Sequence, residues 1–236
     1  MTALYVAKQL IEADESGRAV VLVACAEACS LHVCKVAKLE LAIGNSIFGD
    51  GAGAAIVTHA GFRGAAPSSS TPPQPAYELE SDAHEWRLGT MSSEVVPDSA
   101  GHMTWKQSSE SGRYDMWLAK EIPTALMGFF ASNAAELLYR VGLNPLSCAW
   151  ALHPGGKGII NSFEKALNAM PGVSATGLEA SHSVLDNYGN MSSATIFFVL
   201  QRVLSSTARN SVFFAAFGPG LTVEFGALLR LPRARS

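Results

Sequence analysis

A short apolar run meets a histidine and two glycines in the stretch Ser147-Cys148-Ala149-Trp150-Ala151-Leu152-His153-Pro154-Gly155-Gly156. The apolar residues predict a buried strand over 147–152, and the pattern after the glycines predicts a helix over 159–169. A turn from a strand into a helix is where open α/β sheets bind ligands. Glycines in such a turn let a ligand approach the backbone closely. The stretch therefore predicts an α/β fold with a ligand site at His153, although a lone histidine can also be purely structural.

A glycine and an asparagine begin a second candidate turn, at Gly189-Asn190-Met191-Ser192-Ser193. The apolar pattern that follows predicts a helix over 192–203, so Asn190 can cap that helix with its side chain. Alternatively, its amide can point into a cavity as a hydrogen-bond donor. A histidine at a strand end and an asparagine at a helix start can aim two donors at one thioester carbonyl, which stabilises an enolate or oxyanion. Such chemistry also requires a nucleophile.

The remaining segments read as alternating helices and strands. Apolar side chains at helical spacing predict a helix over 2–13 and a largely helical stretch over 114–141, in which Pro123 either kinks the helix or starts a new one. The continuous apolar run 18–25 predicts a strand buried on both faces. We expect a glycine-rich turn that runs into a strand over 43–57. Two further strands, 211–217 and 221–231, are expected to join at Gly218-Pro219-Gly220.

A stretch rich in Pro, Ser, Ala and Gly, residues 61–76, predicts an exposed connector. We therefore expect a boundary there, between a first unit over 1–76 and a second over 77–236. Residues 77–95 are expected to form one or two strands with a polar loop. The glycines of 49–53 precede a strand rather than follow one, so they do not form a dinucleotide-binding fingerprint.

Composition excludes several classes of function. The chain has 236 residues, 48% hydrophobic and 16% charged, with a net charge of −3. No basic run interleaves with aromatic residues, so we expect no nucleic-acid partner. Apolar runs break well before ~20 residues, and the first residues lack the order of a signal peptide, so we expect no membrane span and a cytoplasmic location. The four cysteines, Cys25, Cys29, Cys34 and Cys148, lack zinc-site spacing; we expect free thiols and no metal.

Six motifs occur in the order in which the type III polyketide synthases, the family of chalcone and stilbene synthases, carry them. The motifs are Glu27-Ala28-Cys29-Ser30-Leu31-His32, Phe48-Gly49-Asp50-Gly51-Ala52, Pro97-Asp98-Ser99, His153-Pro154-Gly155-Gly156, Gly189-Asn190-Met191-Ser192-Ser193 and Phe217-Gly218-Pro219-Gly220-Leu221-Thr222. The last three are specific as a set. The chain thus resembles this family over nearly its whole length. The resemblance implies a thiolase-like α/β fold of layered α-β-α-β-α architecture, with an incomplete N-terminal half and a complete C-terminal half.

The resemblance also implies a reaction and residue roles. Members are acyltransferases that condense malonyl-CoA units, with loss of CO₂, onto an acyl-CoA starter, and the CoA thioesters are substrates rather than cofactors. His153 and Asn190 resemble the triad residues that hold the thioester oxygen of malonyl-CoA. Phe48 resembles the gatekeeper between the CoA tunnel and the initiation cavity. Further substrate-binding positions are implied at Cys29, Leu31, His32, Met116, Gly155, Gly156, Gly158, Ser192, Gly218 and Pro219.

The third member of the family's Cys-His-Asn triad has no match in this sequence. Alignment on Thr2-Ala3-Leu4-Tyr5-Val6-Ala7-Lys8 puts the nucleophilic cysteine about five residues upstream of Thr2. We therefore expect an N-terminally truncated member with impaired condensation, because no other group replaces the thiolate. One alternative is a non-catalytic module that binds CoA esters or dimerises. Another is an unrelated α/β protein in which His153 and Asn190 are structural, which a separation of the two side chains above ~10 Å would favour. The expected partners are malonyl-CoA, an acyl-CoA starter and a second copy in a homodimer.

Overall fold

The computed structural model describes residues 1–33, 39–60, 62, 86–107 and 114–232 of the chain. Within these residues the helices are α1 (Thr2–Ala13), α2 (Leu39–Ile47), α3 (Ile122–Arg140), α4 (Lys157–Asn168), α5 (Leu178–Tyr188) and α6 (Thr195–Ser206). The strands are β1 (Val20–Glu27), β2 (Gly51–Thr58), β3 (Trp86–Val95), β4 (Met103–Gln107), β5 (Tyr114–Leu118), β6 (Ala149–Leu152), β7 (Ser211–Gly218) and β8 (Thr222–Arg230). Short 3₁₀ turns occupy Cys29–His32, Ser192–Ala194 and Pro219–Leu221. The predicted α/β class is confirmed.

A four-stranded sheet in the order β3-β8-β7-β6 forms the centre of the fold. Strand β6 runs parallel to β7, and the other neighbours are antiparallel. Successive side chains point to opposite faces. Trp150 and Phe213 enter one apolar cluster with α3 and α4, whereas Ala151 and Phe214 enter another with α1 and α6. Helices therefore cover both faces of this sheet, and β6 is buried throughout, as its apolar sequence predicts.

Strands β1 and β2 form a separate antiparallel pair, and this pair corrects the prediction of a strand buried on both faces. Val23 is buried in the cluster beneath the sheet. On the outward face Leu22 and Ile56 lie directly opposite each other and are 65% and 68% exposed. A continuous apolar run is compatible with burial on one face or on two, because side chains alternate in either case. The sequence therefore predicted the strand and not its surroundings.

The outward face of the β1–β2 pair is expected to tolerate charge. The double change Leu22→Lys with Ile56→Glu, a cross-strand pair, should alter the free energy of unfolding by no more than ~0.5 kcal/mol, since both side chains are exposed. It should also reduce self-association measured by light scattering, because it removes exposed apolar area. Val23→Lys is the matched control, and it should destabilise strongly because Val23 is buried. A loss above ~2 kcal/mol in the double variant would mean that this face is covered in solution.

The stretch 114–141 is not one helical segment. Tyr114–Leu118 is strand β5, which pairs with β4, a strand that the sequence pattern did not predict. Tyr114, Trp117 and Leu118 fit a helical pattern, whereas Tyr114, Met116 and Leu118 fit an alternating one, so five residues could not decide between the two. Helix α3 begins only at Ile122, with Pro123 in its first turn, where a proline needs no hydrogen-bond donor. Pro123 thus starts a helix rather than kinking one.

Three smaller differences concern segments near the site. Helix α2 runs through Gly44, so the glycine-rich turn begins later than predicted, after Ile47. Helix α5 was not predicted. The predicted helix over 192–203 is a 3₁₀ turn followed by α6.

Apart from residue 62, the connector 61–76 lies outside the described residues, so the boundary between 1–76 and 77–236 stays a prediction. None of the described helices is long and apolar enough to cross a membrane.

Candidate active site

One cavity of about 570 Å³ brings together ten of the thirteen residues predicted to form the site. It is lined by His153, Asn190, Phe48, Met116, Gly155, Gly156, Gly158, Ser192, Gly218 and Pro219. A second cavity of about 100 Å³ is lined by Cys29 and His32, and it shares Phe48, Met116 and Ser192 with the first. Leu31 is 66% exposed and lines neither cavity.

His153 follows directly on strand β6, at the carboxyl end of the central sheet. Its backbone N–H donates to the carbonyl of Ala215 on β7 at 2.8 Å, which extends the ladder by one residue. The N–H of Gly155 then donates back to the His153 carbonyl at 3.0 Å, which turns the chain away from the sheet. A Cβ at Gly155 would lie 2.9 Å from Ile159 Cδ1 and 3.9 Å from the imidazole Nε2. A glycine here therefore leaves the ring edge open to the cavity.

The imidazole of His153 is held neutral at neutral pH. Only 7% of the residue is exposed, and this burial lowers its pKa from 6.5 to about 4. A neutral imidazole keeps one N–H donor and one unprotonated nitrogen. At pH 7 the ring can thus donate a hydrogen bond to a substrate oxygen without placing a full positive charge in the cavity.

Folding stability should depend on pH through His153. Its folded pKa lies below the unfolded value, so the unfolded chain binds more protons between about pH 6.5 and pH 4. Stability is therefore complete above about pH 6.5 and falls by roughly 3 kcal/mol as the pH drops to 4, at 1.36 kcal/mol per pKa unit. Urea unfolding at several pH values measures this. His153→Gln should flatten the slope in that window; an equal slope in the variant would contradict a buried neutral histidine.

Asn190 presents its amide between two fixed partners. Its Oδ1 accepts a hydrogen bond from the backbone N–H of Ser192 at 2.9 Å and one from Thr195 Oγ1 at 3.5 Å. These donors fix the oxygen side of the amide. The Nδ2 group donates to the carbonyl of Gly155 at 3.4 Å, in the turn after His153, and retains a second N–H. The Oδ1 atom of Asn190 thus stabilises the 3₁₀ turn, while its Nδ2 group keeps one N–H available for a ligand in the cavity.

A single backbone bridge joins Asn190 to Phe48. The N–H of Asn190 donates to Ile47 at 2.7 Å, and the carbonyl of Asn190 accepts from Gly49 at 3.0 Å, with Phe48 and Asn190 as bridge partners. The chains pass so closely that a Cβ at Gly49 would lie 2.6 Å from the carbonyl oxygen of Tyr188. Phe48 therefore lines the cavity from the strand position next to the amide donor.

Comparison with known proteins assigns the chain to a family. Residues 87–232 match the C-terminal domain of chalcone and stilbene synthases. The chain belongs to the chalcone and stilbene synthase family. This confirms the resemblance drawn from the six motifs, and the alternative of an unrelated α/β protein is wrong. Residues 1–70 match 3-oxoacyl-[acyl-carrier-protein] synthase III.

Two solved structures share the fold. The C-terminal type III polyketide synthase domain of Steely1, a hybrid synthase from Dictyostelium, superposes with a TM-score of 0.76 at 24% identity, covering 98% of this chain and 59% of that one. PKS-I from the brown alga Ectocarpus siliculosus gives 0.76 at 22% identity, covering 98% and 57%. This chalcone and stilbene synthase family member thus has the predicted thiolase-like fold and spans less than two thirds of the length of either structure.

The wall of the second cavity is anchored by Asp50 in the Phe48-Gly49-Asp50-Gly51-Ala52 motif. Its carboxylate accepts from the backbone N–H and the hydroxyl of Ser30, each at 2.7 Å. These bonds, first the hydroxyl and then the backbone, lower the pKa of Asp50. The 3₁₀ turn that carries Cys29 and His32 is thereby tied to the turn that carries Phe48. In this family member the aspartate links two cavity walls.

Several cavity residues were not predicted from the sequence, and Trp105 is the largest of them. It lines both cavities, and its ring packs edge-on to His32 with centroids 4.7 Å apart. Trp105 was missed because strand β4 was missed. Glu224 also lines the main cavity. The sequence carried a signal for it, since Glu224 is a charged residue within the largely apolar stretch Val223-Glu224-Phe225-Gly226-Ala227-Leu228-Leu229. Lys120 and Lys157 complete the charged part of the lining.

Proposed function

We propose that His153 and Asn190 together hold the thioester oxygen of malonyl-CoA while it loses CO₂. The observation that supports this is the shared cavity, which is lined by a buried neutral imidazole and by an amide that donates to the carbonyl of Gly155, two residues after His153. Donors that are fixed before the substrate arrives need no reorganisation when charge develops. Such a pair favours an enolate more than the starting thioester.

The bond changes balance without a cofactor. The bond between the malonyl C2 atom and its carboxylate breaks, CO₂ leaves, and the electron pair passes into the thioester, whose oxygen becomes an enolate oxygen. Hydrogen bonds from His153 and Asn190 stabilise that oxygen. A proton from solvent on C2 completes acetyl-CoA when no acyl group is present. Malonyl-CoA decarboxylation is therefore the activity proposed for this chain alone.

Condensation onto an acyl-CoA starter requires a thiolate in addition. Among the described residues no cysteine lines the main cavity. Cys148 is buried in the core, and burial raises the pKa of its thiol to about 11. Cys29 lines the second cavity, and burial followed by the charge of Glu27 raises its pKa. Neither thiol has the low pKa of a nucleophile. We propose that condensation needs a thiolate from outside the described residues.

A second candidate function is a module that binds CoA esters without turnover and associates with another copy. The apolar outward face of the β1–β2 pair favours this reading, because exposed apolar faces mark interaction surfaces. Under this reading malonyl-CoA raises the melting temperature of the chain and is recovered intact.

Incubation of the chain with radiolabelled malonyl-CoA, with and without acyl-CoA starters, separates these functions. We expect labelled acetyl-CoA above the buffer blank and no labelled polyketide. Thermal stabilisation by malonyl-CoA without any acetyl-CoA would replace decarboxylation by the binding function. Polyketide formed by the chain alone would show that the chain itself supplies the thiolate for condensation.

A further inference from the structure

Strand β6 leads directly into His153 and lies at the edge of the central sheet. Its neighbour on one side is β7, and among the described residues no strand pairs with its other side. The backbone N–H and C=O groups on the outer edge of β6 have no neighbouring strand to pair with. Because β6 is buried, leaving these groups without hydrogen bonds would cost free energy. The partners that satisfy this edge therefore determine how firmly the end of β6 is held.

A single buried hydroxyl satisfies the last residue of the edge. Ser181 on α5 is fully buried, with 0% of its surface exposed. Its Oγ accepts a hydrogen bond from the N–H of Leu152 at 3.3 Å and donates one to the carbonyl of Leu152 at 2.7 Å. The hydroxyl thus takes the place of an adjacent strand for Leu152, the residue immediately before His153.

The backbone of this strand end is consequently held from both sides. On the sheet side the N–H of His153 donates to Ala215. On the outer side Ser181 holds Leu152, and two residues earlier the N–H of Trp150 donates to the carbonyl of Thr176. Ser181 lies at the outer edge of β6 and does not line the main cavity. Its contribution to the site is therefore exerted through the backbone.

We propose that Ser181 is a positioning residue for His153. Its hydroxyl fixes the end of β6 so that the imidazole of His153 faces the oxygen of the substrate. The proposal rests on the proposed function in that His153 is taken as the donor. Without the hydroxyl, the buried N–H and C=O of Leu152 lose their hydrogen-bond partner. The end of β6 then moves until these two groups reach other partners. A hydrogen bond reaches ~3 Å, so a displacement of ~1 Å at the imidazole is enough to weaken donation severely.

The test compares Ser181→Ala, Ser181→Thr and the control Ser99→Ala by NMR of histidine ring protons. Ser99 is equally buried, and its hydroxyl donates to the carbonyl of Val96 at 2.5 Å, so its removal deletes a similar bond elsewhere. The His153 resonance is assigned by its loss in His153→Gln. We expect Ser181→Ala to move that resonance and to bring its titration midpoint from about 4 toward the unperturbed 6.5. Ser99→Ala should leave both unchanged.

Activity provides the second readout. Malonyl-CoA decarboxylation should fall by roughly 10- to 100-fold in Ser181→Ala, as expected for ~1 Å of misplacement, and return in Ser181→Thr, which keeps the hydroxyl. Should the alanine variant fail to fold, Ser181→Cys, of similar size and weaker donor strength, is measured in its place. An unchanged His153 resonance and midpoint would overturn the positioning role even if stability fell. A shifted resonance in a chain that lacks decarboxylation would keep the positioning role and reject the proposed function.

Discussion

Asn190→Asp is expected to reduce malonyl-CoA decarboxylation by about 10²- to 10³-fold, the usual effect of removing one donor from an oxyanion site. The aspartate keeps an oxygen that accepts from Ser192 and Thr195, so the turn can still form. It replaces the Nδ2 donor by a negative charge, which repels the enolate that the reaction creates. Acetyl-CoA formation from labelled malonyl-CoA measures the loss, and a melting curve checks that the fold is retained.

The matched control for this result is Asn187→Asp. Asn187 also donates through Nδ2 to a backbone carbonyl, that of Ser183 at 2.6 Å, but it is exposed and outside the main cavity. Its activity should equal that of the unmodified chain. If Asn190→Asp kept more than about a tenth of the activity, the amide would not act as an oxyanion donor and its role would be capping alone.

A large loss of stability is expected from Gly189→Ala. Gly189 has φ +73° and ψ −167°, a conformation that only glycine adopts at low cost, and a Cβ there would lie 2.8 Å from the carbonyl oxygen of Ile47. That oxygen accepts the bridging bond from Asn190, so the methyl group forces the bridge apart. The free energy of unfolding should fall by more than ~3 kcal/mol, because backbone strain of this kind alone costs 1–3 kcal/mol.

Urea unfolding measures this difference, and Gly17→Ala separates strain from crowding. Gly17 also has a positive φ of +66°, but a Cβ there meets nothing within 4 Å. That change should cost only about 1–2 kcal/mol, the usual penalty of a left-handed residue. Equal losses at the two glycines would show that the close approach at Gly189 is relieved by a small movement and does not secure the bridge.

Short-range chemistry explains what could be predicted from the sequence. The strand before His153 was predictable because four buried residues and two glycines allow few alternatives. The turn at Gly218-Pro219-Gly220 was predictable because glycine and proline favour tight turns. In the structure Gly220 has the positive φ that favours glycine. Strand β5 was not predictable, because five residues fit two periodicities and only pairing with β4 decides between them.

Features that depend on distant parts of the chain escaped prediction. Ser181 has no local signal, because a serine within a helix is usually exposed. Its importance arises from a strand edge 29 residues away in the sequence. The exposure of one face of β1 also escaped prediction, because the apolar run 18–25 does not indicate whether a second layer covers that face. Leu31, a position taken from family resemblance, is exposed and lines neither cavity in this structure, so its role in substrate binding stays a prediction.

The bridge between Phe48 and Asn190 couples the positions of two residues that line the main cavity. The Phe48 ring forms part of the cavity wall, and the Asn190 amide is the proposed oxyanion donor. Both residues are held by the same pair of backbone hydrogen bonds. Under the proposed function, a change that moves Phe48 outward to admit a bulkier acyl group should also move the Asn190 donor away from the substrate oxygen. We therefore expect variants with a wider cavity to decarboxylate malonyl-CoA more slowly.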